Sequence, residues 1–191
     1  MAKEAVWRAW YHDARGESLE QVTEHRIETP RRYRGVVLST GTRDSSPFRV
    51  DYDVLLHAAG TVRRADIEAV TAAGAMELTL TADGFGHWFR HGVPVMELTG
   101  CLDISLWCSP QAAVWPLSRL RLDFGARTTL PLVRVAGLAL ALEVQHLAYQ
   151  CDSADATGTR YRVARGEGAP DDVRMDPEGR LVAWSTRWQR V

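Results

Sequence analysis

Apolar and polar positions alternate with a period of two along most of the chain. In Phe48-Arg49-Val50-Asp51-Tyr52-Asp53-Val54-Leu55-Leu56-His57, the residues Phe48, Val50, Tyr52, Val54 and Leu56 share one face, and Arg49, Asp51, Asp53 and His57 take the other. Successive side chains point to opposite sides of a strand, so this stretch predicts a half-buried strand and fits a helix poorly. Met76-Glu77-Leu78-Thr79-Leu80-Thr81 repeats the pattern and runs into the turn sequence Ala82-Asp83-Gly84. Strands are also predicted where Leu102, Ile104 and Leu106 alternate with Asp103, Ser105 and Trp107, and where Leu120, Leu122 and Phe124 alternate with Arg119, Arg121 and Asp123. Near the C-terminus Tyr161 and Val163 alternate with Arg160 and Arg162, and Val173 and Met175 with Asp172 and Arg174.

Residues 138–150 contain helix-favouring Ala, Leu, Glu and Gln, yet Leu138, Leu140, Leu142 and Val144 keep strict alternation, and a strand is the better reading. A short helix or irregular turn is predicted at Ser109-Pro110-Gln111-Ala112-Ala113, where Ser-Pro makes a suitable helix start. Glycine-rich turn sequences punctuate the chain at short intervals, among them Gly41, Gly60, Gly74, Gly125 and Pro177-Glu178-Gly179. No linker, low-complexity segment or convincing internal repeat divides it. The pattern therefore predicts one all-β domain over residues 1–191. Its form is a single antiparallel β-barrel or half-barrel of roughly a dozen or more short strands, with at most one or two short helices. A curled sheet of that size must be flattened, plugged or left with a cavity. An apolar lining would make such a cavity a binding pocket.

Composition narrows the function. The 191 residues carry 23 Lys+Arg against 24 Asp+Glu, a formal charge of −1. That balance lacks the basic footprint that holds a polyanion and argues against nucleic acid as a partner. The longest apolar run, Val135 to Leu142, is far below the ~18 residues of a membrane helix. Glu4 and Arg8 interrupt the apolar stretch a secretory signal needs. Cys101, Cys108 and Cys151 form an odd set without a Cys-x-x-Cys pair, which argues against a disulfide framework or a structural zinc site. Together these features predict a soluble protein of a reducing cytoplasm, with no stable membrane insertion and no cofactor.

Few residues offer chemistry. His87 and His91 have the spacing of two ligands on one helical face, but the surrounding Gly84-Phe85-Gly86 and Gly92-Val93-Pro94 would not hold a helix, and exposed hairpin histidines are expected. Gly84-Phe85-Gly86 lacks the third glycine and the βαβ setting of a dinucleotide site. No nucleophile elbow or phosphate-binding loop occurs. Asp103, set between Cys101 and Trp107, could bind a substrate hydroxyl or act as an acid or base if desolvated; the plainer expectation is pairing with Arg119 or Arg121. Seven tryptophans outnumber the four Phe and the five Tyr. Indole suits both packing and stacking on sugars or acyl chains, and Trp88 and Trp107 have the best claim to a pocket wall.

Gly86-His87-Trp88, Leu98-Thr99-Gly100-Cys101-Leu102-Asp103-Ile104-Ser105-Leu106, Ser109-Pro110 and Trp115-Pro116-Leu117-Ser118-Arg119-Leu120 together resemble the signature of the bacterial "putative glycolipid-binding" family. The likeness spans nearly the whole chain. It implies a β-barrel or half-barrel similar to bacterial lipoprotein and lipid carriers, with a lipid-like ligand held in a concave pocket. This chain departs from the pattern at Ser105, where the family has a second Asp, and at Ala112-Ala113-Val114, which replace a polar stretch. Those changes fit a more apolar ligand, or none, better than a sugar headgroup.

The leading expectation is a non-enzymatic binding or carrier protein for a glycolipid or other lipid-like molecule, with Trp88, Asp103, Trp107, Trp115 and Arg119 as ligand-binding residues and no catalytic or metal site. The alternative is a barrel enzyme acting on a small or lipidic substrate, with Asp103 as acid or base and His87 or His91 nearby. A third is a scaffold or dimerisation module using an exposed sheet edge.

Overall fold

A computed structural model describes residues 2–10, 17–26, 31–41, 46–120 and 122–191. Its first eight strands are β1 (Ala2–Trp10), β2 (Glu17–Arg26), β3 (Arg31–Ser39), β4 (Phe48–Leu56), β5 (Val62–Thr71), β6 (Gly74–Ala82), β7 (Trp88–Arg90) and β8 (Val93–Pro94). A 3-10 turn (Met96–Leu98), β9 (Asp103–Leu106), helix α1 (Pro110–Val114) and a second 3-10 turn (Trp115–Ser118) follow. The chain then forms β10 (Arg127–Ala136), β11 (Ala141–Asp155), β12 (Gly158–Arg165), β13 (Asp171–Met175), β14 (Leu181–Trp184) and β15 (Trp188–Arg190).

All fifteen strands belong to one sheet in the order β8-β7-β6-β5-β4-β3-β2-β1-β15-β14-β13-β12-β11-β10-β9. Two meanders, β1 to β8 and β10 to β15, meet where β1 pairs with β15. Every pairing is antiparallel except β9 with β10, which run parallel with Ser105 beside Arg134. Backbone bonds from Gly100 N–H to Gly86 O (2.9 Å) and from Val62 N–H to Leu102 O (3.0 Å) tie the approach to β9 back to the other half of the sheet. The curl is therefore laced across its gap.

The expected alternation is visible strand by strand. Val50, Tyr52, Val54 and Leu56 of β4, Ala65, Ile67 and Ala69 of β5, and Leu78 and Leu80 of β6 are buried on the inner face. The outer face carries ion pairs across and along the strands, Arg32 and Arg34 with Asp53, Arg49 with Asp51, and Arg64 with Asp66. Exposed pairs of this kind contribute little stability, but they keep the outer face polar.

Three local expectations are corrected. Leu120, Leu122 and Phe124 form no strand: Ala126 N–H closes a turn on Asp123 O, Gly125 N–H bonds Cys151 O, and Phe124 stays exposed. Residues 138–140 belong to the tight turn between β10 and β11, which starts at Ala141. In β9 both faces are covered, so Asp103, Ile104, Ser105 and Leu106 are all buried and not alternately exposed.

The largest correction concerns the interior. The expected unfilled apolar lumen is occupied by the chain's own residues 101–119, hereafter the plug. Every residue of α1 is buried. Ser109 caps the helix by accepting Ala112 N–H (3.2 Å), and Pro110 follows at its first turn, as the Ser-Pro sequence requires. The small Ala112 and Ala113 let the helix approach both halves of the sheet: Tyr149 Oη–H of β11 donates to Ala113 O (2.9 Å), while the Trp115 ring packs between Tyr33 (centroids 5.4 Å) and Tyr52 (6.1 Å) of β3 and β4. A sheet with this many inward apolar residues needs something apolar to bury them against, and the plug supplies it.

Candidate functional site

The five sequence-predicted residues fall on the plug or against it, but not in one cluster. Asp103 and Arg119 meet as a buried ion pair, with Asp103 1% and Arg119 18% exposed. Asp103 Oδ1 and Arg119 Nε are buried without hydrogen-bond partners among the described residues. Burial pushes the Asp103 carboxyl up, and the Arg119 guanidinium only partly offsets it. Trp88 is buried and donates Nε1–H to Cys101 O at 2.7 Å, so it clamps the start of the plug. Trp115 is buried between the two tyrosines. Trp107 is half-buried; it packs on Phe48 at a centroid distance of 6.2 Å. Arg121 lies outside the described residues. His87 and His91 are exposed; His87 Nδ1 sits 2.6 Å from Asp83 Oδ2.

Hydrophobic periodicity gave no sign of Glu20. It faces inward from β2 in a row with Ser18, Val22 and Glu24, and it is fully buried. Tyr52 Oη–H donates to Glu20 Oε1 (2.7 Å) across the flat space above Gly35. Burial pushes the Glu20 carboxyl from its ordinary 4.5 up to about 7, while the Ser109 and Tyr52 hydroxyls pull it down less strongly. Below about pH 4.5 this carboxyl is protonated in both folded and unfolded chains. Between 4.5 and about 7 the folded chain keeps a proton that the unfolded chain releases, so stability falls as pH rises through that window. The loss amounts to about 3 kcal/mol above pH 7. Glu20→Gln is expected to match the parent near pH 5 and exceed it by a few kcal/mol at pH 8, checked by urea denaturation at both pH values.

Two of the concave features that open to solvent bear on this interior. A groove of about 790 Å³ wraps the strand ends of β2 to β5. Its outer row is Leu19, Leu38, Arg49 and Val70, which are successive cross-strand neighbours. Its inner row is Ser18, Ser39, Phe48 and Thr71, paired in the same way. Leu19 and Leu38 are 40% and 50% exposed although they are aliphatic. Ser18 Oγ is buried and has no hydrogen-bond partner among the described residues. A smaller pocket of about 110 Å³ lies between the plug and β10 to β15, lined in part by Ser105, Trp107 and Ser109. Trp107 thus stands between the two, touching Phe48 of the groove and lining the pocket.

Comparison with known proteins bears on what such a scaffold serves. The model of the family described as "putative glycolipid-binding" matches residues 4–190. The chain belongs to this family. A crystal structure of a DUF1089 family protein from Pseudomonas aeruginosa is similar over 91% of this chain and 92% of its own length, with 27% identity and a TM-score of 0.79. A comparison with the curated proteins finds no match. This family thus includes the plugged half-barrel seen here. Among the described residues no group of three or more His, Cys, Asp or Glu could hold a metal ion, and no helix is long and apolar enough to cross a membrane. The three cysteines are buried and unbridged.

Proposed function

We propose that the protein binds an amphipathic, glycolipid-like molecule in the groove at the ends of β2 to β5. The observation that carries this reading is the groove's lining. Leu19, Leu38 and Val70 offer apolar surface in its outer row and Phe48 in its inner row, while Ser18, Ser39 and Thr71 offer hydroxyls and Arg49 one cation beside them. Its volume of about 790 Å³ lies in the range that holds a drug-sized molecule. Exposed aliphatic pairs such as Leu19 and Leu38 cost solvation unless something covers them. The family's description supports the same ligand class. In this reading Trp107 reaches the ligand side through Phe48, and Trp88, Asp103, Trp115 and Arg119 hold the plug that supports the groove from beneath. Asp103 lines neither the groove nor the smaller pocket, which weighs against an acid or base role.

The test is extraction and mass spectrometry of lipids carried by the purified protein, followed by titration with dodecyl maltoside. The parent is expected to carry lipid above a tagged unrelated control and to bind the maltoside saturably. Leu38→Asp should weaken that binding by roughly tenfold, because it places a charge where burial of a Leu contributes about 1.5–3 kcal/mol. No carried lipid together with unsaturable maltoside would overturn the reading.

A further inference from the structure

The small pocket beside Trp107 has a composition unlike the groove. Strand pairing brings three arginines to it from distant parts of the chain. Arg134 of β10 lies beside Ser105 in the parallel register, Arg165 at the end of β12 stands opposite Leu147 in the middle of β11, and Arg187 sits in the turn between β14 and β15. Arg134 is partly neutralised by Glu143 at 2.5 Å. Neither Arg165 nor Arg187 has a carboxylate partner among the described residues. The one acid lining the pocket, Asp171, accepts Ser185 Oγ–H at 2.8 Å. Ser185 is held in the left-handed conformation (φ 50°), a costly backbone state for a non-glycine residue, and its N–H bonds Asp172 O. That turn fixes Arg187 and Trp188 at the pocket.

Ser105 is the second, independent observation. It is 4% exposed, it lines the pocket, and its Oγ has no hydrogen-bond partner among the described residues. A buried hydroxyl left unpaired costs on the order of 1–3 kcal/mol, which a ligand acceptor would relieve. The pocket's 110 Å³ admits three or four waters' worth of volume, or one compact oxyanion. Arginine is the side chain best suited to bind a phosphate or sulfate oxygen pair.

We infer that this pocket binds an oxyanion, a phosphate-like group held by Arg134, Arg165, Arg187 and the Ser105 hydroxyl. The group is either the acidic head of an amphiphile or a free small anion. The register makes the first geometrically reachable: Ala9 of β1 pairs with both Trp188 and Ser18, so the pocket and the groove lie two strand spacings apart, about 10 Å. That the oxyanion is a lipid head rests on the amphiphile reading above; the pocket's affinity for an oxyanion does not.

The experiment uses the full chain in low-salt buffer with three probes, inorganic phosphate, monododecyl phosphate and the neutral dodecyl maltoside, read by calorimetry and by the indole N–H signals of Trp107, Trp184 and Trp188. The parent is expected to bind inorganic phosphate saturably at one site and to shift those indole signals. Arg165→Gln/Arg187→Gln should lose roughly tenfold or more in phosphate affinity, Ser105→Ala should lose less, and the outer-face control Arg162→Gln should bind like the parent. Monododecyl phosphate binding roughly tenfold tighter than phosphate assigns a lipid head; equal affinities assign a free anion. Absence of saturable phosphate binding by the parent, or equal affinity in the double variant, overturns the pocket assignment. Maltoside binding without phosphate binding would sink the oxyanion site alone, and phosphate binding without maltoside binding would sink the groove alone.

Discussion

Gly35→Ala is expected to destabilise the protein by about 3–5 kcal/mol and to lower its melting temperature by about 6–20 °C. A Cβ at Gly35 would lie 2.0 Å from Tyr52 Cζ and 2.3 Å from its hydroxyl oxygen, distances no side chain tolerates. The ring cannot simply lift away. It is pinned from above by Trp115 and ends in the 2.7 Å bond to Glu20. Moving it therefore combines overpacking with the loss of a buried hydrogen bond to a carboxyl group. The cross-strand register of Gly35 with Tyr52 is what makes the flat approach possible. Thermal and urea denaturation of Gly35→Ala, Tyr52→Leu and the double variant form the check. The cost of Gly35→Ala should shrink by 2 kcal/mol or so in the Tyr52→Leu background. Full additivity would show that the two residues do not share this space.

Arg119→Met should be nearly as severe, about 3–5 kcal/mol, because it leaves the Asp103 carboxylate buried without its counter-charge. Asp103→Asn should cost less, since Arg119 keeps some contact with water whereas Asp103 has almost none. The deficit of Arg119→Met also has a sign in pH. Burial already raises the Asp103 carboxyl, and without Arg119 it rises further. A raised carboxyl contributes stability that is present below its unfolded value and lost as pH rises, so the variant should recover toward the parent as pH is lowered. Urea titrations from pH 5 to pH 8 separate this from a packing defect, which would give a deficit independent of pH. If Arg119→Met is as stable as the parent at pH 8, the ion pair does not hold the plug.

Both effects depend on contacts between residues remote in sequence, and they mark where sequence patterns are informative. The alternation in residues 48–56 and 76–81 identifies strands because one face is dry and the other wet, and the pattern of a strand repeats that difference every second residue. Ser109-Pro110 identifies the helix start because capping is local. The pairing of Asp103 with Arg119 was one of two local options. Glu20, by contrast, faces inward in β2 beside Ser18 and Glu24, while Leu19 lines the groove. Polarity there runs against burial, so periodicity carries no signal. The stretch 119–124 fails for the opposite reason: its alternation is real, but a turn closed by Gly125 and Ala126 removes the backbone partners a strand needs.

The amino-acid order alone determined an all-β chain with a short capped helix in its middle, because strand alternation and helix capping are decided within a few residues. Only the three-dimensional structure decided that the helix fills the curl, that the groove lies at the strand ends, and that Arg134, Arg165 and Arg187 line one pocket with Ser105. Those arrangements come from strand order and register, which are set by how whole faces of the sheet bury one another and not by any local stretch of sequence.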